Sequence, residues 1–179
     1  MKTTNYFIRI STFEDVESIL ELYKRVSEST VGLARTESEI TREYVQQFTE
    51  KSIRSGIQLV MVDRNDVQKV IAEIHCYKLE PSVFAHIFSE LTIAVCPDHQ
   101  GQKLGRTLFQ ALLDFVQEKR EDILRVELIA RESNTKAIHL YESLGFVKEG
   151  RLRNRIRLGE NFFEADIPMA WFNPSFTNS

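Results

Sequence analysis

The sequence predicts an α/β fold in which helices lie on both faces of a mixed β-sheet. Segments with the two-residue apolar period of strands alternate along the chain with segments that have the helical period. A length of 179 residues and a hydrophobic content of 42% fit one compact domain that needs no disulfide or structural metal. We expect a single domain over residues 1–179, with its core at about residues 6–172 and a short tail at 173–179.

Charge and cysteine content exclude several classes of protein. The chain has 23 Lys and Arg residues against 26 Asp and Glu residues, so no overall positive field attracts nucleic acid. The two cysteines, Cys76 and Cys96, lie in no CxxC or Cys/His spacing, which predicts a reduced, cytoplasmic protein without zinc. The four histidines are scattered, and no metal site is expected. No segment has the apolar pattern of a secretory signal or of a membrane span, so we expect no membrane partner.

The N-terminal part of the chain predicts one strand and two helices. Residues 6–10 are rich in β-forming side chains. Ser11 followed by Glu14 has the spacing of a capping box and predicts that a helix begins there. Thr36 followed by Glu39 repeats this spacing before a second segment with helical periodicity.

Strands dominate the remainder, and two helices interrupt them. The predicted elements are a hairpin of strands at 57–63 and 67–79, a strand at 84–95, a helix from Gly101 or Gly105 to about Lys119, a strand at 124–130, a helix at 134–144, and a final hairpin at 146–157 and 162–172. Pro97 ends the strand before the first of these helices, and Gly145 ends the second helix.

One strand runs into a turn with two glycines, Gly101 and Gly105, and the turn opens a helix. Glycine allows a ligand to approach the backbone closely, and the first N–H groups of a helix have no partner within the helix. Such a helix start can bind a pyrophosphate. The same order of elements also occurs in many α/β proteins that bind no phosphate. The chain has neither a Walker loop nor a complete GxGxxG motif, which excludes those two nucleotide sites.

A second segment carries a more specific pattern. Residues 134–146 read NTKAIHLYESLGF, which resembles the NxxAxxLYExxGF pattern of the GNAT superfamily of acetyl-CoA-dependent N-acetyltransferases. The turn at residues 100–105 is then similar to the QxxGxG/A loop of that family, with Lys103 in place of the usual middle glycine. The resemblance covers most of the chain. It is nearest to the branch that contains phosphinothricin, amino-acid and ribosomal-protein acetyltransferases.

The resemblance implies a mostly antiparallel, twisted sheet with a central splay, in which acetyl-CoA binds as cosubstrate. It also implies that the residues binding acetyl-CoA are Ile93, Val95, Gln100, Gly101, Gln102, Lys103, Leu104, Gly105, Arg106 and Asn134. Ile93 and Val95 would act through their main chain, with the Ile93 N–H as a donor to the thioester oxygen. Asn134 is either a ligand of the pantetheine arm or an ordinary helix N-cap, and both roles can coexist.

Tyr141 is, by the same resemblance, the acid that protonates the departing thiolate, and its alternative role is to pack its ring on the sheet. The general base stays open, because a lysine-type amine with a pKa of about 10.4 needs one more than an α-amine with a pKa of about 8. Glu90 is the first candidate, followed by Glu127 and Glu73. A solvated carboxylate on the outside of the sheet is the alternative for Glu90.

The implied reaction is transfer of an acetyl group from acetyl-CoA to a primary amine of a small molecule or a protein N-terminus by direct attack. The alternative is a catalytically silent, CoA-binding regulatory module on the same fold, motivated by Lys103 and the unassigned base. A third hypothesis is nucleic-acid binding by four alternating arginines between Arg151 and Arg157, for which a solvated outer face is the alternative. The acceptor and the oligomeric state stay open, and a homodimer is one option.

Overall fold

A computed structural model describes residues 5–29, 33 and 35–177 of the chain. Within these residues there are eight β-strands, mostly paired antiparallel, and four α-helices, which confirms the mixed α/β fold class. The chain divides into two compact units, residues 1–77 with 92–114 and residues 78–91 with 115–179. The single domain over residues 1–179 stays a prediction, and its first four and last two residues lie outside the described ranges.

The first unit begins with a strand, two helices and a long hairpin. Its elements are β1 (Tyr6–Ile10), α1 (Val16–Glu28), α2 (Arg42–Ser55), β2 (Gly56–Asp63), nearly all of β3 (Asp66–Lys78), the second half of β4 (Ile87–Val95) and the larger part of α3 (Leu104–Lys119). β2 pairs antiparallel with both β1 and β3. The helical period predicted for α1 is confirmed, because Val16, Ile19, Tyr23 and Val26 are all buried.

The capping box before α1 lies one residue later than the sequence predicts. Thr12 and Asp15, rather than Ser11 and Glu14, form it, and it closes a 3₁₀ turn at Phe13–Asp15. A tertiary contact explains the difference, because the Asp15 carboxylate accepts hydrogen bonds from the Thr12 N–H at 2.8 Å and from the Arg9 guanidinium on β1 at 2.6 Å. Burial opposes ionisation here, but these hydrogen bonds hold the pKa of Asp15 below its ordinary value.

The predicted capping box of Thr36 and Glu39 is present, but it closes only a 3₁₀ turn at Glu37–Glu39. α2 begins three residues later, where Thr41 Oγ1 accepts a hydrogen bond from the Tyr44 N–H at 3.2 Å. The prediction that this box starts the second helix is therefore wrong, because the chain has a second N-cap residue nearer to the apolar stripe.

The second unit contains the first half of β4 and the end of α3. Its other elements are β5 (Arg125–Arg131), α4 (Thr135–Ser143), β6 (Val147–Lys148), β7 (Leu152–Arg157) and β8 (Phe163–Phe172). β5 pairs antiparallel with β8 along its whole length, from Arg125 opposite Phe172 to Arg131 opposite Asp166. β4 pairs in parallel with β5 at two positions, Ile87 with Arg125 and Phe88 with Val126.

Two strand predictions in this unit need correction. The strand predicted from residue 84 begins at Ile87, because residues 82–84 form a 3₁₀ turn. The strand predicted over 146–157 is two strands, β6 and β7, and both pair with β8. Gly145 ends α4 as predicted, with a positive φ of 94° that glycine adopts without strain.

The predicted stripe of four arginines on one strand face is also wrong. Arg151 precedes β7 and pairs with Glu132. Asn154 has a φ of 55°, and the pairing register of β7 shifts between Leu152 and Ile156. This irregularity interrupts the alternation on which a single basic face depends.

Candidate active site

The turn before α3 has an unusual backbone. Gly101 has a φ of 77° and Lys103 has a φ of 63°, so two residues of this turn lie in the left-handed region. A side chain at such a φ is strained, and glycine normally occupies the position. Lys103 therefore adopts the backbone conformation that the usual glycine of this loop would favour. Its side chain is exposed, as is that of Arg106 in the first turn of α3.

Several residues of the predicted loop meet the end of β4 within the first unit. The Gln100 side-chain amide donates a hydrogen bond to the Val95 carbonyl at 3.4 Å. A Cβ atom on Gly105 would lie 3.5 Å from Val95 Cγ2 and 3.9 Å from Ile93 Cδ1. The helix start is thus packed directly against the predicted pantetheine strand. Gly101 and Gln102 are exposed, whereas Leu104 is buried.

Asn134 and Tyr141 belong to the second unit and lie on the segment of α4. Asn134 Oδ1 accepts a hydrogen bond from the Ala137 N–H at 3.2 Å, which makes Asn134 the N-cap of the helix. Tyr141 lies about two turns further on, half-buried, and its ring packs on Phe146 with 6.1 Å between centroids. Burial raises the pKa of Tyr141 to about 12, so the phenol is protonated at neutral pH.

The three candidate bases lie in different environments. Glu90 is exposed on β4 and has a φ of 55°, which marks an irregularity in the strand. Glu127 is half-buried on β5 and pairs with Arg125 at 3.1 Å. Glu73, in contrast, is completely buried on β3.

A buried polar network surrounds Glu73 in the first unit. The Tyr23 hydroxyl donates to Oε2 at 2.7 Å, and the Gln58 amide donates to Oε1 at 2.9 Å. His75 Nδ1 lies 2.9 Å from the same Oε1 and donates to it when this nitrogen carries the proton. Burial and the charge of Glu73 raise the pKa of Tyr23 well above its ordinary value. The Glu73 carboxylate thus accepts hydrogen bonds from up to three side chains of the protein itself.

Sequence reasoning missed His75, although the pattern contained a signal for it. Glu73 and His75 are two residues apart on a strand and therefore share a face. Gln58 lies opposite His75 in the register of β2 and β3, and the ring of Phe48 stacks on the imidazole at 4.0 Å between centroids. Only the register and the packing of α2 reveal that these side chains form one cluster.

The described part of the chain has neither a metal-binding cluster nor a membrane-spanning helix. No group of three His, Cys, Asp or Glu side chains in it is arranged to hold a metal ion. No helix in it combines the length and the apolar character needed to cross a membrane.

Comparison with known proteins identifies the family of the chain. The profile of the "Acetyltransferase (GNAT) family" matches residues 16–146, which is more than half of the chain. The chain therefore belongs to the GNAT acetyltransferase family, and the resemblance inferred from the sequence is confirmed.

The chain is similar to several enzymes that are named for different acceptors. The spermidine N(1)-acetyltransferase of Vibrio cholerae is 38% identical over 38% of this chain and 39% of its own length. The [ribosomal protein bS18]-alanine N-acetyltransferase of Escherichia coli K12 is 47% identical over 35% of this chain and 40% of its own length. This chain thus spans about two fifths of these two relatives. The L-amino acid N-acyltransferase MnaT of Escherichia coli K12 is 28% identical over 78% of both chains.

Solved structures share the fold. An acetyltransferase of the GNAT family from Streptococcus pneumoniae superposes with a TM-score of 0.82 at 22% identity, covering 93% of this chain and 99% of that chain. A phosphinothricin acetyltransferase from Sinorhizobium meliloti, solved in complex with acetyl-CoA, has a TM-score of 0.79 at 15% identity and covers 98% of this chain and 92% of that chain.

Proposed function

We propose that this protein transfers an acetyl group from acetyl-CoA to a primary amine by direct attack of the amine on the thioester. The observation that carries the proposal is the left-handed turn at Gly101 and Lys103 in front of α3. Such a turn directs successive main-chain N–H groups toward one point, and the helix start adds a favourable dipole for a diphosphate. The names of the relatives, which act on spermidine, a ribosomal protein or amino acids, support an amine as acceptor.

In this proposal, residues 100–106 bind the pyrophosphate of acetyl-CoA. Arg106 and Lys103 add positive charge beside the helix start. The main chain of Ile93 and Val95 pairs with the pantetheine amides, and the Ile93 N–H stabilises the oxyanion. The Asn134 side chain, whose Oδ1 caps α4, binds the pantetheine arm through its amide group.

The proposed reaction uses neither a metal nor a covalent enzyme intermediate. The amine nitrogen forms a bond to the thioester carbon, the oxyanion collapses, and the carbon–sulfur bond breaks. Glu90, directly or through a water molecule, takes the proton that the amine loses. Tyr141, whose phenol is protonated at neutral pH, gives its proton to the departing thiolate. The products are an amide and free CoA.

We place this reaction in a reducing compartment, the cytoplasm. Cys76 and Cys96 are both buried and form no disulfide. The acceptor is a small-molecule amine or a protein N-terminus, and a homodimer is compatible with the proposal.

Two measurements test the proposed function. Calorimetry with acetyl-CoA is expected to give binding, and a thiol-release assay over a panel of amines is expected to give turnover with at least one of them. Binding without thiol release from any amine would favour a silent CoA-binding module. No binding of acetyl-CoA would contradict the proposal and this alternative alike.

Changing Lys103 tests the loop itself. Lys103→Ala and Lys103→Gly both remove the ammonium, and only the glycine variant relieves the left-handed backbone. If the ammonium binds the diphosphate, both variants raise the Kd for acetyl-CoA about tenfold, the effect of one lost charged hydrogen bond. Calorimetry at two salt concentrations measures this effect, which should shrink at high salt. An unchanged Kd in both variants would exclude the ammonium from the site.

A further inference from the structure

A 3₁₀ turn at Pro97–His99 lies between β4 and the loop that opens α3. Proline begins this turn, and its ring restricts the backbone there. The His99 N–H donates to the Cys96 carbonyl at 2.9 Å, which closes the turn. The Cys96 N–H donates in its place to the Ile71 carbonyl of β3, also at 2.9 Å. The turn therefore has a defined shape and is joined to the sheet.

Two side chains of the turn contact other elements of the first unit. The His99 ring packs edge-on against the Tyr6 ring of β1, with 5.7 Å between centroids and an interplanar angle of 78°. The Asp98 carboxylate accepts a hydrogen bond from the guanidinium of Arg25, in the last turn of α1. Edge-to-face aromatic contacts and charged hydrogen bonds both favour a fixed geometry. β1, α1 and β3 thus each hold the turn in position.

Packing, rather than hydrogen bonding, accounts for the position of the His99 ring. Its Nδ1 atom is buried, and none of the residues that the structure describes pairs with it. A ring nitrogen that is removed from water without a partner is unfavourable. The contact with Tyr6 is the interaction that offsets this cost.

The turn leads directly into the left-handed loop. Gly101 and Lys103, at φ 77° and 63°, follow His99 by two and four residues. A lysine in this region is strained, and such a conformation persists only where the surrounding structure fixes it. On its C-terminal side the Lys103 carbonyl accepts a hydrogen bond from the Thr107 N–H of α3 at 3.1 Å. On its N-terminal side the loop depends on the turn.

We propose that Asp98 and His99 are positioning residues for acetyl-CoA, because they hold the turn that keeps the loop at Lys103 left-handed. The inference rests on the proposed function, in which this loop binds the diphosphate. Neither side chain contacts the cosubstrate. When the turn is released, the loop adopts other conformations, and the apparent Kd rises by the inverse of the fraction that is still competent to bind.

Variants of His99 test the role of its ring. His99→Ala removes the contact with Tyr6 and should raise the Kd for acetyl-CoA, measured by calorimetry, about tenfold. The kcat at saturating acetyl-CoA should stay within about twofold. His99→Phe keeps an aromatic edge without ring nitrogens and should keep the Kd within about twofold. His86→Ala, which removes a half-buried histidine of the second unit, is the matched control and should leave the Kd unchanged. A phenylalanine variant that binds as weakly as the alanine variant would contradict a packing role.

Two backgrounds at Lys103 test the link to the strained backbone. Lys103→Ala and Lys103→Gly both lack the ammonium, and only glycine adopts the left-handed φ without strain. Adding His99→Ala should raise the Kd about tenfold in the alanine background and less than about threefold in the glycine background. Equal increases in the two backgrounds would overturn the inference, because His99 would then act independently of the loop conformation.

Charge and geometry predict different results for the ion pair. Asp98→Asn and Arg25→Gln each remove it, and both should raise the Kd about threefold if the pair holds the turn. If only charge acted on the diphosphate, loss of the carboxylate would lower the Kd and loss of the guanidinium would raise it. A lower Kd in Asp98→Asn would contradict the positioning role of Asp98.

Hydrogen exchange tests the turn without the cosubstrate. The Thr107 N–H, which donates to the Lys103 carbonyl, should exchange at least about threefold faster in His99→Ala and at the wild-type rate in His86→Ala. If the wild-type protein binds no acetyl-CoA, the proposed function fails, and an unchanged exchange rate in His99→Ala would then overturn this inference as well. Wild-type binding with an unchanged Kd in His99→Ala would overturn the inference alone and leave acetyl transfer intact.

Discussion

Replacing Tyr141 with phenylalanine is expected to lower kcat for acetyl transfer by about 10²-fold, the lower end of what general acid catalysis contributes. The substitution removes only the hydroxyl, so the ring can keep its contact with Phe146. The thiolate must then leave without a proton from the protein. A thiol-release assay at saturating acetyl-CoA measures kcat, and calorimetry is expected to give an unchanged Kd for acetyl-CoA.

Tyr44→Phe provides a control for this experiment, because Tyr44 is another half-buried helical tyrosine and lies in the first unit. It should leave kcat within about twofold, since none of the proposed steps uses its hydroxyl. A Tyr141→Phe enzyme with the wild-type kcat would remove this residue from the chemistry. A matching loss in the affinity for acetyl-CoA would instead indicate that the hydroxyl binds the cosubstrate.

Replacing Glu73 with alanine is expected to lower the free energy of unfolding by about 3–5 kcal/mol, the range for breaking a buried charged network from one side. Tyr23, Gln58 and His75 would each lose their hydrogen-bond partner while remaining buried. The deleted side chain would also leave a cavity. Urea denaturation of the variant and of the wild type measures the difference.

Two further variants provide comparisons, one at Glu73 itself and one at a carboxylate outside this network. Glu73→Gln keeps the volume and one acceptor oxygen, so its loss of stability should be smaller than that of Glu73→Ala. Glu127→Ala removes a carboxylate from a half-exposed ion pair with Arg125 and should cost about 1 kcal/mol or less. A loss below about 1 kcal/mol for Glu73→Ala would mean that water replaces the carboxylate and that the network is not sealed.

Periodicity predicted most of the fold because burial follows local spacing. The buried side of α1 lies where its apolar residues recur, and the hairpin of β2 and β3 lies where the sequence is rich in Val and Ile. The start of α1 could not be predicted from the same pattern. Ser11 and Glu14 have the correct spacing for a capping box. The Arg9 side chain on β1 binds Asp15, however, and the box forms from Thr12 and Asp15 instead.

The candidate site was only partly predictable, because part of it depends on backbone conformation and strand register. The sequence indicates that Lys103 replaces a glycine, but only the structure gives the left-handed φ of that residue. The cluster around Glu73 does not follow from local spacing, because it depends on which residue lies opposite on the neighbouring strand.

A crystal structure with bound acetyl-CoA tests the central claim most directly. We expect the diphosphate within hydrogen-bond distance of main-chain N–H groups of residues 101–106, and the thioester sulfur next to the Tyr141 hydroxyl. A cosubstrate bound elsewhere, or a diphosphate held by side chains alone with Tyr141 remote from the sulfur, would contradict the account.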